Sequence, residues 1–292
     1  MKKSLWNDLW HRAFQSGNPL YLVIALNILV FLFLNVLALF TALRVTSLPL
    51  SGYLLSWLQL PATVGAWIYK PWTIITYMFT QQGLFHILFN MLWLFWMGII
   101  FLDFLKKRQF IFVYLAGGLL GGALFMLAYN FIPVFREEAL RTVLIGSSAS
   151  VSAVVFATAT LLPDYTLRML FFGNVKLKYL ALAFIVIDVL AIAGLNAGGS
   201  IAHIGGALLG YLYIRQLRAG HDWSRVLGQR KKSKLRVVRN DHTSPRQDPP
   251  LVPNQEVIDQ ILDKISQSGY DSLTKAEKEA LFKASKQGQN EY

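Results

Sequence analysis

Six stretches of the chain run almost without charge: Leu20–Leu43, Gly83–Leu102, Phe110–Phe131, Gly146–Leu162, Tyr179–Leu195 and Ile201–Leu217. A helix of about 20 mostly apolar residues covers the hydrocarbon core of a bilayer, within a range of about 17–25. The pattern therefore predicts six transmembrane helices. The first stretch is too long for the apolar part of a signal peptide and has no small-residue cleavage pattern after it, so it is read as an uncleaved span. Ahead of it, Leu5, Trp6, Leu9, Trp10 and Phe14 share one helical face. That spacing suggests a short helix lying in the membrane interface, with a solvated arm as the alternative.

Beyond the sixth stretch the pattern changes. The basic run from Arg230 to Arg236 and the four prolines within Asn240–Pro253 read as a flexible linker. Two short amphipathic stretches follow, Gln255–Ser266 and Lys275–Lys286, and Thr274 and Glu277 have capping-box spacing at the start of the second. A small helical hairpin is expected there. The boundaries are thus 1–19 for an N-terminal segment, 20–218 for a six-helix core, 219–253 for the linker and 254–292 for a helical tail. No internal repeat of 20–50 residues stands out.

Composition agrees with a membrane protein. Apolar residues are 54% of the 292, and charged residues only 15%, against roughly 25% in typical soluble proteins. The chain has no cysteine, which removes disulfides, thiolate nucleophiles, Cys-ligated zinc and protein-ligated iron–sulfur clusters. The net charge of +12 is placed in short loops and the basic run, so its expected partner is an anionic lipid surface rather than nucleic acid. Lys2, Lys3 and Arg12 precede span one; Lys106, Lys107 and Arg108 separate spans two and three; Arg168, Lys176 and Lys178 separate spans four and five; Arg215 and Arg218 close span six. The alternate loops carry few positive charges. By the positive-inside rule both termini are cytoplasmic, and compact, cysteine-free loops fit a bacterial inner membrane.

Polar side chains inside a span are costly enough to be functional hypotheses by default. His86 and Asn90 lie in the first two turns of span two, Ser147, Ser148 and Ser150 in the first turn of span four, and His203 in the first turn of span six. Spans two, four and six run in the same direction, so all of these reach one depth in the outer leaflet. A serine at a helix N-terminus lies beside unpaired N–H groups and the positive end of the helix dipole. Those groups suit a developing oxyanion when a histidine is near to take the hydroxyl proton. Gly146 allows close backbone approach just ahead of the serines. His86 and Asn90, four residues apart, point to one face about 6 Å apart along the axis.

The segments Leu84–Trp93 (with His86 and Asn90), Gly146-Ser-Ser148-Ala and Ala202–Gly210 (with His203, Gly206 and Gly210) resemble the rhomboid intramembrane serine proteases. The resemblance covers about Leu20–Leu217 and rests on HxxxN, GxSG-like and HxxGxxxG motifs in helices two, four and six. It implies an all-α, six-helix bundle with Ser148 as nucleophile and His203 as general base, a dyad without an acidic third member. The Ser148 N–H with the side chains of His86 and Asn90 would hold the oxyanion, and Gly146, Gly206 and Gly210 would let helices pack closely. The implied substrates are single-span membrane proteins, and no metal or other cofactor is needed. Ala149 stands where the family usually has glycine, and Ser152 where many members carry an aromatic that stacks on the histidine. Trp57 and Trp67 lack the adjacent arginine common in the family's first outer loop.

The same residues admit other readings. Ser147 and Ser150 are rival nucleophiles. Counting from the expected span ends, Asp188 falls about 10 Å deep in span five and His203 about 4 Å deep in span six, which favours a neutral or hydrogen-bonded structural aspartate, with a third member orienting His203 as the alternative. HExxH is absent, which excludes that metalloprotease class. An inactive rhomboid-like protein that binds membrane helices, and a small transporter, are the readings from other classes.

Overall fold

In the computed structural model, residues 10–169, 173–194, 196–228 and 255–287 are described. They fall in two compact units, Met1–Lys231 and Lys232–Tyr292. The first contains the helices α1 (Pro19–Ala42), α2 (Leu84–Phe104), α3 (Lys107–Phe131), α4 (Ser148–Leu161), α5 (Leu177–Ala191) and α6 (Ala197–Arg218). These six lie on the six apolar stretches. Four of them, α1, α2, α3 and α6, are long and apolar enough to cross a membrane, and α4 is a shorter apolar helix.

Local chemistry sets the helix ends. Asn18 caps α1 by accepting from the Leu20 N–H, with Pro19 in the first turn, where its missing N–H costs nothing. Asn196 caps α6 by accepting from the Gly199 N–H. At 14 residues, α4 spans about 21 Å, well short of a bilayer core of about 30 Å.

Helix α4 is the centre of the unit. Ten of its residues, Ala149–Val155 and Ala157–Ala159, are buried. It packs against α6 and α3 through a seam of small residues. A Cβ added at Gly206 would run into the Ala149 carbonyl, one at Gly210 into the Ala153 carbonyl, and one at Gly117 into the Ala153 methyl. A Cβ added at Gly205 would likewise lie 2.8 Å from Gly121 Cα. The small-xxx-small spacing of Gly206 and Gly210 thus does what such spacing does between membrane helices: it brings backbones together. Ala149 fits in place of a glycine because Gly121 and Gly206, its neighbours across the seam, have no side chains.

The segment between α1 and α2 folds into short helices, Leu50–Leu58, Val64–Ile68 and Thr73–Thr76. Trp57 and Trp72 stack at 5.6 Å, the Lys70 ammonium lies 4.8 Å over the Trp57 ring, and the Trp72 indole donates to the Trp57 carbonyl. A lysine above a tryptophan gives this segment a cation–π contact without an adjacent arginine. Strand β1 (Leu60–Pro61) pairs antiparallel with β2 (Val143–Leu144), which leads straight into the turn before α4. Strands β3 (Thr166–Met169) and β4 (Gly173–Lys176) form a hairpin between α4 and α5.

Composition assigned residues from 219 onward to the linker, yet those up to 228 fold onto the core. Asp222 accepts from the Tyr213 hydroxyl (3.0 Å), the Ser224 N–H (3.0 Å) and hydroxyl (2.6 Å), and the Arg108 guanidinium (2.8 Å). Burial pushes its carboxyl up, and these donors more than offset that, so it stays below the ordinary range. The basic run and proline-rich linker lie outside the described residues, as does most of the N-terminal segment. In the second unit, α7 (Gln255–Ser268) and α8 (Lys275–Gln287) form the expected hairpin. Thr274 and Glu277 exchange capping-box bonds, Lys264 reaches Glu277 at 2.9 Å, and Ile261 and Leu273 are buried between the helices.

Candidate active site

A cavity of about 320 Å³ is lined by His86, Phe89, Asn90 and Trp93 from α2, Ile145, Ser148, Val151 and Ser152 at the head of α4, Phe184 from α5, and Asn196 and His203 from α6. The four side chains singled out in the sequence from three distant segments therefore meet in one place. Ser148 is the first residue of α4, so its own N–H is among the unpaired donors of that helix end. The chain arrives there through Gly146, whose φ of +114° is a backbone conformation that side chains disfavour. Space gives a second reason for glycine. A Cβ at Gly146 would sit 2.8 Å from His86 Cε1, 3.1 Å from its Nε2 and 3.7 Å from Ser148 Oγ. The Nε2 edge of His86 and the Ser148 hydroxyl thus flank the same bare stretch of backbone.

The rival serines are occupied elsewhere. Ser147 is fully buried and accepts from the Gln81 side chain at 2.8 Å. Ser150 is fully buried against α3 beside Gly118, its hydroxyl without a hydrogen-bond partner. Ser148 alone of the three faces the cavity. Ser152, where an aromatic was expected, also lines it. Among the described residues, no direct hydrogen bond joins Ser148 and His203. Such contacts are often open before substrate binds.

The structure overturns the depth argument that set Asp188 apart from His203. Its Oδ1 lies 2.7 Å from His203 Nδ1, and Asp188 is buried. The depth argument failed on the helix ends. Helix α5 stops at Ala191 rather than Leu195, and α6 starts at Ala197 rather than Ile201. Asp188 is therefore in the last turn of α5, about 4.5 Å from its end, and His203 about 9 Å into α6. The two helices meet at the site with the carboxylate behind the imidazole.

Two further polar residues were missed. Asn27, mid-way along α1, and Gln81, just before α2, are both fully buried. Gln81 Nε2 donates to Asn27 Oδ1 at 3.0 Å as well as to Ser147, and Gln81 Oε1 accepts from Asn90 Nδ2 at 3.0 Å. Asn27 had a signal, since a carboxamide inside a span is costly by the rule that pointed to His86. Gln81 had none, because it precedes its helix.

Comparison with known proteins bears on this geometry. Residues 69–219 match the rhomboid domain family, which takes in α2 through α6 and every residue of the cavity. Residues 252–287, the helical hairpin, match a family of unknown function, DUF6576. RHOMBOID-like protein 12, mitochondrial, of Arabidopsis thaliana is 28% identical over 158 residues, 51% of this chain and 47% of that protein. The chain therefore spans about half the length of that curated relative.

Proposed function

Because the chain belongs to the rhomboid family, a multi-pass membrane protein with its motif residues in one cavity, we propose that it is an intramembrane serine endopeptidase. The observation that carries this reading is the convergence of Ser148, His203, His86 and Asn90 on one cavity, with both neighbouring serines buried away from it. All six core helices span the bilayer in this reading, with both termini on the cytoplasmic side of a bacterial inner membrane. The site opens toward the outer leaflet above the short α4, which admits the water that hydrolysis needs.

In the reaction, Ser148 Oγ attacks a carbonyl carbon of the substrate while His203 Nε2 takes the hydroxyl proton. The oxyanion that forms is held by the Ser148 N–H and the side chains of His86 and Asn90. The C–N bond breaks as His203 returns its proton to the leaving amine, and water releases the acyl group by the same steps in reverse order of roles. Asp188 acts through His203: a carboxylate 2.7 Å from Nδ1 keeps that nitrogen protonated and leaves Nε2 free to accept. A helix hides its carbonyls in its own hydrogen bonds, so substrates are single-span proteins whose helix unwinds readily at this depth.

A second reading has specific support. Ser152 in place of an aromatic, and the open Ser148–His203 pair, suit a rhomboid-like protein that grips membrane helices without cutting them. Cleavage of a model single-span substrate in liposomes separates the two. Cutting by wild type that is lost in Ser148→Ala and His203→Ala, both still folded, supports the peptidase. No cutting of several substrates, with no labelling of Ser148 by a fluorophosphonate, supports the helix binder. Equal cutting by Ser148→Ala overturns the nucleophile.

A further inference from the structure

We propose that Gln81 is a positioning residue for the oxyanion donors, orienting the Asn90 carboxamide and the turn before Ser148 through a one-way relay of hydrogen bonds. The inference rests on the peptidase reading above and deepens it.

The direction of the relay is fixed by main-chain carbonyls, which only accept. Tyr114, on α3, donates its single hydroxyl proton to the Met78 carbonyl at 3.1 Å, so toward Asn27 its oxygen is an acceptor. Asn27 Nδ2 then has two acceptors, the Val23 carbonyl at 3.0 Å and the Tyr114 hydroxyl at 3.3 Å. With both N–H groups committed, Asn27 must turn its Oδ1 toward Gln81. Gln81 answers with Nε2, whose second N–H goes to Ser147 Oγ. The remaining end of Gln81 is Oε1, and it faces Asn90.

An acceptor facing Asn90 decides which end of that side chain is where. The amide nitrogen of Asn90 must lie on the Gln81 side, with one N–H used at 3.0 Å. The second N–H stays available to the cavity that Asn90 lines. Were Gln81 absent, the carboxamide could present its oxygen there instead, and an oxygen repels a developing oxyanion. Through Ser147, Gln81 also holds the peptide that precedes the Ser148 N–H. One buried side chain from a loop thus sets two of the three donors, and α1 contributes to the site without touching the cavity.

The test is a double-mutant cycle on the full chain in liposomes, using Gln81→Met, Asn90→Ala and the pair, with thermal unfolding of each. Gln81→Met is expected to lower kcat about tenfold, part of the about 10²–10³ that loss of a whole oxyanion donor costs, with KM within about twofold. In the Asn90→Ala background the same change is expected to lower kcat by no more than about twofold, because the group it orients is gone. Asn27→Ala removes the anchor of the relay from a distance and is expected to show the same dependence on Asn90, which covers the case of Gln81→Met failing to fold. Equal losses in both backgrounds, or losses matched by the fraction unfolded, overturn the positioning role and leave the peptidase standing. A wild type that cuts nothing overturns both.

Discussion

Asp188→Asn is the substitution that most sharply questions the arrangement behind His203. The bond it weakens is 2.7 Å long and joins side chains that are 11% and 24% exposed, so water is poorly placed to replace the lost charge. A hydrogen bond to a charged group is worth about 1.5–3 kcal/mol. On the peptidase reading, His203 carries the proton of Ser148 in the transition state, and that is when the carboxylate charge acts. At about 1.4 kcal/mol per tenfold, the loss corresponds to a fall in kcat of about tenfold to about a hundredfold. KM should stay near wild type, since Asp188 does not line the cavity. An asparagine that turns its nitrogen toward the ring deepens the loss by forcing the proton onto Nε2, the wrong side for a base. The assay is cleavage of a single-span substrate in liposomes, corrected for folded fraction. A kcat within twofold of wild type, or a loss accounted for by unfolding, refutes the orienting role and returns Asp188 to a structural one.

Gly206→Val puts a side chain into the Ala149 carbonyl and backbone; overpacking of about 1–3 kcal/mol or more is expected, read as a lowered thermal midpoint, whereas Gly52→Ala, with open space around it, should leave the midpoint in place. Ser147→Ala should keep cutting at a reduced rate while Ser148→Ala abolishes it, and the reverse ranking in the liposome assay would exchange the two serines. In the tail hairpin, the Thr274 backbone N–H, then Lys264 and the Thr274 hydroxyl, hold Glu277 at about 2, below its ordinary 4.5. A depressed carboxylate stabilises the folded form above about pH 4.5, so protection of the amides at the start of α8, measured against the unstructured exchange rate at the same pH, should fall as pH drops from there toward about 2. Glu277→Gln should flatten that dependence.

Much of this protein could be read from its order of residues, for reasons specific to membranes. Long apolar runs have few alternatives in a bilayer, so six helices and the seam of Gly206 and Gly210 were visible at once. Histidines stand out against such runs, and the spacing of His86, Ser148 and His203 placed them at one depth. What escaped depended on helix ends and on loops. Four residues of difference at the end of α5 and at the start of α6 moved Asp188 from bystander to hydrogen-bond partner, because hydropathy does not mark where a helix stops in an apolar segment. Gln81 escaped because a polar residue in a loop carries no penalty until the fold buries it. Residues 219–228 escaped because Gly220 and polar neighbours read as linker, while Tyr213 and Arg108, which donate to Asp222 beside Ser224, lie in spans and loops only the fold brings to it.

The burial of α4 also bears on when the fold, and on the peptidase reading the enzyme, comes into being. A helix of 14 residues, twelve of them serine, alanine, threonine or valine, is too short to sit across a bilayer alone and offers lipid little to hold. Its stability comes from its neighbours, and α6, whose glycines cradle it most closely, is the last of the core helices to leave the ribosome. That helix also carries His203. A nascent chain stopped before Ala197 therefore lacks both the packing that holds Ser148 in place and His203 itself. On the peptidase reading, assembly and activation are then one event.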